Sequence, residues 1–218
     1  MNRAGVSFRD ATAADAAVAV PLIHSSGPAA FEYVFAVPGL GDAQAFLRRA
    51  FVDGAGEFGW RNHVVGELDG AVVAVGAGYG GATKWSFTLA AARQILGHYG
   101  WRPAAGVIAR GLKVESVIPP PAGAMYYLGH LGVAPSLRGQ GVGSALVGYL
   151  IAARPAGSGG PVILDVAATN PDAQRLYQRL GFAVIGERRS TLANARGQVP
   201  DHRRMQWQAP ARVVARTG

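Results

Sequence analysis

Cysteine is absent from the 218-residue sequence, which excludes disulfides, thiolate metal sites and a cysteine nucleophile. Lysine is nearly absent too. Lys84 and Lys113 are the only two, and every other basic residue is an arginine. Enrichment in arginine, alanine and glycine together points to a GC-rich genome, so part of the basic balance reflects codon usage. No apolar run reaches about 18 residues, so neither a membrane span nor a membrane partner is expected. Ala11–Ile23 is apolar-rich but contains Asp15 and lacks the arrangement of a secretion signal. A cytoplasmic bacterial protein fits these absences. The histidines, His24, His63, His98, His130 and His202, show no metal-ligand spacing, so no metal is expected. There is no internal repeat.

Half of the residues are hydrophobic, too many for a disordered chain. The expectation is one domain over 1–210 with its own core, followed by a frayed tail over 211–218. The formal net charge is +8, and it is lopsided. Residues 1–100 hold seven basic and eight acidic side chains, whereas residues 101–218 hold fourteen and five. A polyanionic ligand accounts for a basic second half. Nucleic acid is not expected as a partner, because no basic-aromatic motif or long Lys/Arg run supports it.

The stretch from Tyr126 to Ala153 organises the rest. Tyr127–Val133 is apolar and bounded by turn formers, so it reads as a buried strand. Ala134-Pro135-Ser136 breaks it. After Arg138-Gly139-Gln140-Gly141-Val142-Gly143-Ser144, helical spacing begins at once. Val142, Ala145, Leu146, Tyr149, Leu150 and Ala153 fall on one helical face. A glycine-rich loop thus joins a strand to the first turn of a helix. Free N–H groups and the positive dipole end point at one spot there, and glycines let an anion approach the backbone.

The flanks read as alternating strands and helices. Val6–Arg9 is a short strand. Thr12 or Asp15 caps a helix through His24 that buries Val18, Leu22 and Ile23, and Ser25-Ser26-Gly27-Pro28 ends it. Phe31–Phe35 is an aromatic patch and Gly39-Leu40-Gly41 a turn. Asp42 caps a second helix over Ala43–Phe51, with Phe46, Leu47 and Ala50 inward. Asn62–Glu67 and Ala71–Ala77 are strands joined by an Asp69-Gly70 hairpin turn, and Gly76, Gly78, Gly80 and Gly81 loosen the end of the second. The 83–124 region is a helical insert. Trp85, Leu89, Ala92, Leu96 and Tyr99 share one predicted face, and Pro103–Val117 forms a second helix before the stiff Pro119-Pro120-Pro121. Past a flexible turn at Gly157–Gly160, Pro161–Val166 is a strand. Asn170-Pro171-Asp172 starts a helix that sets Ala173, Leu176, Tyr177 and Leu180 on one face and stops at Gly181. Phe182–Gly186 and Arg203–Gln208 are the last strands, paired with each other. Hairpins and crossovers mix, so the sheet is expected to be mixed and helix-flanked.

Among nucleotide loops, a Walker loop fails because no lysine follows these glycines, and a dinucleotide fingerprint fails at Ser144. Arg138, Gly141 and Gly143 match Arg-x-x-Gly-x-Gly in full. With its surroundings, LGHLGVAPSLRGQGVGSALV resembles the acetyl-coenzyme-A motif of the GNAT superfamily of N-acetyltransferases. A second segment, ILDVAATNPDA with LYQRLGF, is similar to the family's L-x-V-x-x-x-N-x-x-A-x-x-L-Y-x-x-x-G-F. Together the two matches cover residues 126–182, and the insert at 83–124 is longer than the family's usual connection.

The resemblance implies an α/β (α+β) GNAT fold: a mixed, mostly antiparallel twisted sheet of six to seven strands, flanked by helices, with splayed central parallel strands near Leu131–Val133 and Leu164–Val166. It implies acetyl-CoA as cosubstrate. The pantetheine arm would lie along Leu131, Gly132 and Val133, with Asn170 and Ala173 beside it. The pyrophosphate would sit on Arg138, Gly139, Gln140, Gly141, Val142, Gly143 and Ser144, where a helix N-terminus and glycine loop suit a doubly charged group without lysine. Tyr177 would be the acid that protonates the leaving sulfur. Without the resemblance it reads as a core aromatic on a face with Ala173 and Leu180, just as Asn170 reads as a helix cap. The implied reaction is acetyl transfer to a primary amine of a small molecule or peptide, by direct attack in a ternary complex. The alternative is a catalytically silent acyl-CoA sensor on the same fold, because Met125-Tyr126-Tyr127 supplies no carboxylate where many members place a base. His130, Glu67, Glu32 and a water relay remain the candidates. Strand alternation sets His130 opposite Tyr127, Gly129 and Leu131, as a core or supporting histidine. A homodimer is one arrangement open to the chain.

Overall fold

The structure is a computed structural model that describes residues 5–155 and 159–208. The tail over 211–218 and part of the turn at Gly157–Gly160 lie outside the described residues. β1 (Ser7–Asp10) leads into α1 (Ala16–Ser25), α2 (Pro28–Phe35) and α3 (Ala43–Asp53). The hairpin β2 (His63–Leu68) and β3 (Ala71–Gly80) follows, then α4 (Lys84–Tyr99) and α5 (Trp101–Val114). Next come β4 (Tyr126–Val133), α6 (Val142–Ala152), β5 (Val162–Ala167), α7 (Pro171–Arg179) and β6 (Phe182–Arg188). A two-residue ribbon, β7 (Ala193–Asn194) with β8 (Gly197–Gln198), precedes β9 (His202–Trp207).

Seven strands form one sheet in the order β1-β2-β3-β4-β5-β9-β6. Only β4 and β5 run parallel, because α6 crosses between them; the other neighbours are antiparallel. β9 inserts between β5 and β6, so the last two strands pair as expected.

Side-chain alternation splits the core into two layers. Val64, Ala74, Leu128, Leu164 and Val166 face α6 and α7 on one side of the sheet. Val65 and Val75 face α1, with Leu47 and Phe51 of α3, on the other. Phe46 and Phe51 are fully buried, and burial of a side chain of that size contributes about 1.5–3 kcal/mol. Local signals agree: the Asp42 carboxylate accepts from Ala45 N at 2.9 Å, and Asp69-Gly70 takes the positive φ values, 51° and 77°, of a mirror-image hairpin turn.

Four expectations change. Phe31–Phe35 is helical, because Pro28 sits at the first position of α2 instead of terminating α1. Val18 of α1 is exposed. β3 runs on to Gly80, and its glycines serve close approach: a Cβ on Gly78 would lie 2.3 Å from the Tyr126 hydroxyl oxygen. α4 presents a different face from the one its spacing predicts. Trp85 and Leu89 are 81 % and 74 % exposed, while Ala90, Gln94, Ile95 and Tyr99 are buried. The Gln94 amide is satisfied inside by Asp53 at 2.8 Å and the Ala55 carbonyl at 2.9 Å, so a polar residue occupies the inner face without penalty.

Candidate active site

β4 and β5 pair only at Tyr126 with Val162 and Tyr127 with Ile163. Beyond those pairs β4 stays with β3 to Val133, and β5 stays with β9 to Ala167. The two central strands therefore splay, leaving the β5-facing edge of β4 from Leu128 onward with no strand partner. A bulge accompanies the splay. Ala77 pairs with Gly129 and Val75 with Gly132, so His130 and Leu131 together oppose Gly76. His130 takes a φ of 56° to make the extra step.

That bulge overturns the simple alternation. Leu131 packs in the α6 layer, where a Cβ on Gly76 would lie 3.0 Å from its Cδ2. His130 instead shares a side with Tyr127 and reaches His63, Phe31 and Phe58. Gly132 lies against α1 so closely that a Cβ there would meet the Leu22 carbonyl oxygen at 2.3 Å.

The loop after β4 leaves a cradle. Gly139 and Gly141 have φ values of 76° and 88°, which side chains rarely adopt, and nothing stands within 4 Å of where a Cβ on either would lie. Gly141 is the N-cap of α6 and no side chain caps that helix. Its first N–H groups thus face outward beside a positive dipole end. The loop is braced from behind: Arg138 Nε donates to the Val133 carbonyl at 3.3 Å, and the Gln140 amide donates to the Ser136 carbonyl at 2.9 Å. Successive glycines in this geometry make an anion nest.

α7 closes the other side. The Asn170 side chain accepts from Ala173 N at 3.1 Å, which is the cap expected of it. A Cβ on Gly143 would lie 3.2 Å from Leu176 Cδ2 and 3.8 Å from Val133 Cγ2, so the end of β4, the start of α6 and the middle of α7 converge. Tyr177 is buried at 8 % exposure in the same layer, its ring 6.0 Å from that of Phe182. Burial pushes its hydroxyl up to about 12, so it is protonated at neutral pH. No hydrogen-bond partner for that hydroxyl is found among the described residues.

Across the splay, on the α1 side of the sheet, lies a polar cluster. His63 Nδ1 meets the Gly59 carbonyl at 2.9 Å, and His63 Nε2 meets His130 Nδ1 at 3.0 Å. His130 Nε2 faces Glu57 Oε1 at 3.6 Å, and the Tyr79 hydroxyl donates to the same oxygen at 2.7 Å. Burial first, and then the charge of the facing His130 when that ring is protonated, hold His63 down to about 3. Burial acts to raise the Glu57 carboxyl, but the hydrogen bond and charge that His130 offers once protonated, together with the Tyr79 hydroxyl, outweigh it and hold it below the usual range. Burial, reinforced by Glu57, pushes the Tyr79 hydroxyl well up.

Of the other candidates for a base, Glu67 is bound to Arg9 at 2.8 Å, and Arg9 also holds Asp15. Glu32 is shared between His24 at 3.1 Å and Arg196 at 3.2 Å. Glu57 was not singled out from the sequence. It sits in the loop between α3 and β2 with no periodicity around it, and only the fold brings it to His130. Among the described residues no group of three or more His, Asp or Glu side chains could hold a metal ion.

A family model described as the Acetyltransferase (GNAT) family matches residues 44–182. No curated protein matches the sequence. Among solved structures, an N-acetyltransferase from Staphylococcus aureus superposes with a TM-score of 0.69 at 16% identity, covering 92% of this chain and 99% of that one. A GCN5-related N-acetyltransferase from Kribbella flavida gives a TM-score of 0.54 at 22% identity over 93% and 96%. The yncA protein from Salmonella typhimurium, solved with its cofactor acetyl-CoA, gives 0.51 at 17% identity over 94% of each chain. These likenesses establish a common fold.

Proposed function

Because the chain belongs to the GNAT acetyltransferase family, we propose that it moves an acetyl group from acetyl-CoA to a primary amine of a small molecule or peptide, by direct attack within a ternary complex. The observation that carries this reading is the conjunction of an open glycine cradle with splayed central strands. The cradle at Gly139 and Gly141 is free of side chains, and its N–H groups and helix dipole suit a pyrophosphate. The unpaired edge of β4 supplies extended N–H and C=O groups at Leu131, Gly132 and Val133 for the amide-bearing pantetheine arm. The solved complex of yncA with acetyl-CoA supports the choice of cofactor.

When bound, acetyl-CoA supplies the acetyl group as an activated thioester. Everything else falls to the chain. Arg138, Gln140, Val142, Gly143 and Ser144, with the two cradle glycines, hold the pyrophosphate through main-chain N–H groups and the Ser144 hydroxyl. Asn170 and Ala173 flank the arm from α7. Tyr177 stands protonated on the same helix, its hydroxyl unengaged, and gives its proton to the departing sulfur. Holding both reactants in one cleft converts a bimolecular encounter into an effectively unimolecular step.

The test is a thiol-release assay with acetyl-CoA and a panel of primary amines: short alkylamines, diamines, amino acid amides and peptides with free N-termini. Release that requires both protein and amine supports the reading. Tight acetyl-CoA binding with no turnover across the panel would make the chain a sensor and contradict it.

A further inference from the structure

We infer that the imidazole of His130 is the general base that takes the proton from the attacking amine, and that His63 is a positioning residue that locks His130 in the competent tautomer. This deepens the acetyl-transfer reading and rests on it.

The argument runs along one chain of atoms. A carbonyl oxygen can only accept, so His63 Nδ1, 2.9 Å from the Gly59 carbonyl, carries its proton. Neutral His63 then presents Nε2 as an acceptor. His130 Nδ1, 3.0 Å away, must therefore be the donor. Neutral His130 is left with its lone pair on Nε2, aimed at Glu57 Oε1 at 3.6 Å. Two acceptors facing one another at that distance leave a place for one proton. The one proton that the attacking neutral amine sheds as its C–N bond forms settles there as an imidazolium–carboxylate pair.

Each neighbour fits that role. His63 is 2 % exposed and cannot become charged without breaking its bond to His130, so the proton does not travel past it. The Tyr79 hydroxyl fixes Glu57 Oε1 at 2.7 Å. Phe58 stacks on the His130 ring at 5.1 Å and Phe31 lies at 6.1 Å; the His24 ring, 6.2 Å from Phe31, is paired with Glu32. The Glu57 side chain is 41 % exposed, which opens the pair to an incoming amine, while that of His130 is only 8 % exposed. The bulge puts this lone pair on the splayed stretch of β4, one residue before Leu131. The balance is complete. The amine nitrogen forms a C–N bond to the carbonyl carbon and loses one proton to His130 Nε2. The C–S bond breaks, and its sulfur gains one proton from Tyr177. Solvent then returns a proton to Tyr177 and removes one from His130.

Two measurements test this. His130→Asn keeps a side-chain N–H for His63 and tolerates positive φ, but has no basic nitrogen. It should leave acetyl-CoA affinity unchanged, lower amine-dependent kcat about 10²-fold or more, and abolish the acid limb of the kcat–pH profile. A kcat within about twofold of the parent with the limb intact would overturn the assignment. Long-range 1H–15N spectra of the unliganded protein need no acceptor. They should show neutral His63 and neutral His130 both protonated at Nδ1; an Nε2–H tautomer of His130 would overturn the base even if no amine in the panel reacts. Loss of turnover in the parent with Nδ1–H at both rings would instead fault the transfer reading alone.

Discussion

Tyr127 and Ile163 are the last residues that pair β4 with β5. Everything proposed for the cleft depends on that parting. Before it the strands form an ordinary parallel ladder; after it β4 carries an unpaired edge, a bulge at His130 and a glycine cradle, in that order along the chain. One side of the sheet then offers the cradle and Tyr177, and the other offers Glu57, His63 and His130.

Gly141→Asp tests the cradle. The φ of 88° strains any side chain by about 1 kcal/mol, and the new carboxylate would stand where an anion belongs. Acetyl-CoA binding should vanish by calorimetry while the melting temperature falls only modestly. Normal affinity in a folded variant would move the pyrophosphate elsewhere.

Tyr177→Phe separates acid from packing. The hydroxyl has no partner among the described residues, so stability should change little. The expected kinetic result is a kcat lower by about 10²-fold or more with unchanged acetyl-CoA affinity. A variant that turns over like the parent reduces Tyr177 to a core aromatic.

Asp165→Asn tests the buried ion pair that ties β5 to β9. Asp165 Oδ2 meets Arg204 Nη2 at 2.7 Å, with side chains only 2 % and 9 % exposed, and the same guanidinium group also donates to the Pro119 carbonyl. Breaking a buried pair from one side costs about 3–5 kcal/mol. Urea unfolding should show a loss of that size; a loss below about 1 kcal/mol would mean the pair is solvated in practice.

Acid sensitivity should trace to His63. Its usual value is 6.5, and in the fold it is held down to about 3, chiefly by burial and then by His130. A folded value below the unfolded one means the neutral form is favoured. The stability it contributes is whole above pH 6.5 and is lost as pH falls toward about 3, at no more than about 1.4 kcal/mol per pH unit. Urea midpoints measured across that range should fall less steeply in His63→Phe than in the parent. Equal slopes would show that His63 does not titrate with unfolding.

The strand, loop and helix proposed to hold the cofactor were legible in the sequence because their signals are local. Apolar runs, helical spacing after Val142, glycines at 139 and 141 and the Asn170 cap each act within a few residues, and each recurs in the structure. The acceptor half depends on contacts between distant residues. Alternation along β4 assumes a constant register, and the bulge at His130 breaks it, exchanging the sides of His130 and Leu131. Glu57 acquires its neighbours from β3 and β4, through Tyr79 and His130, which no spacing in its own loop announces. Trp85 and Leu89 share a predicted face but point outward, because α4 packs through Ala90, Gln94, Ile95 and Tyr99, with the Gln94 amide satisfied by Asp53.

A crystal structure with coenzyme A bound would test the account most directly. The predicted result places the pyrophosphate on the main-chain N–H groups of Gly139 to Ser144, the pantetheine arm along Leu131 to Val133, and the sulfur within hydrogen-bond reach of the Tyr177 hydroxyl. A pyrophosphate seated away from that loop, or a sulfur remote from Tyr177, would contradict it.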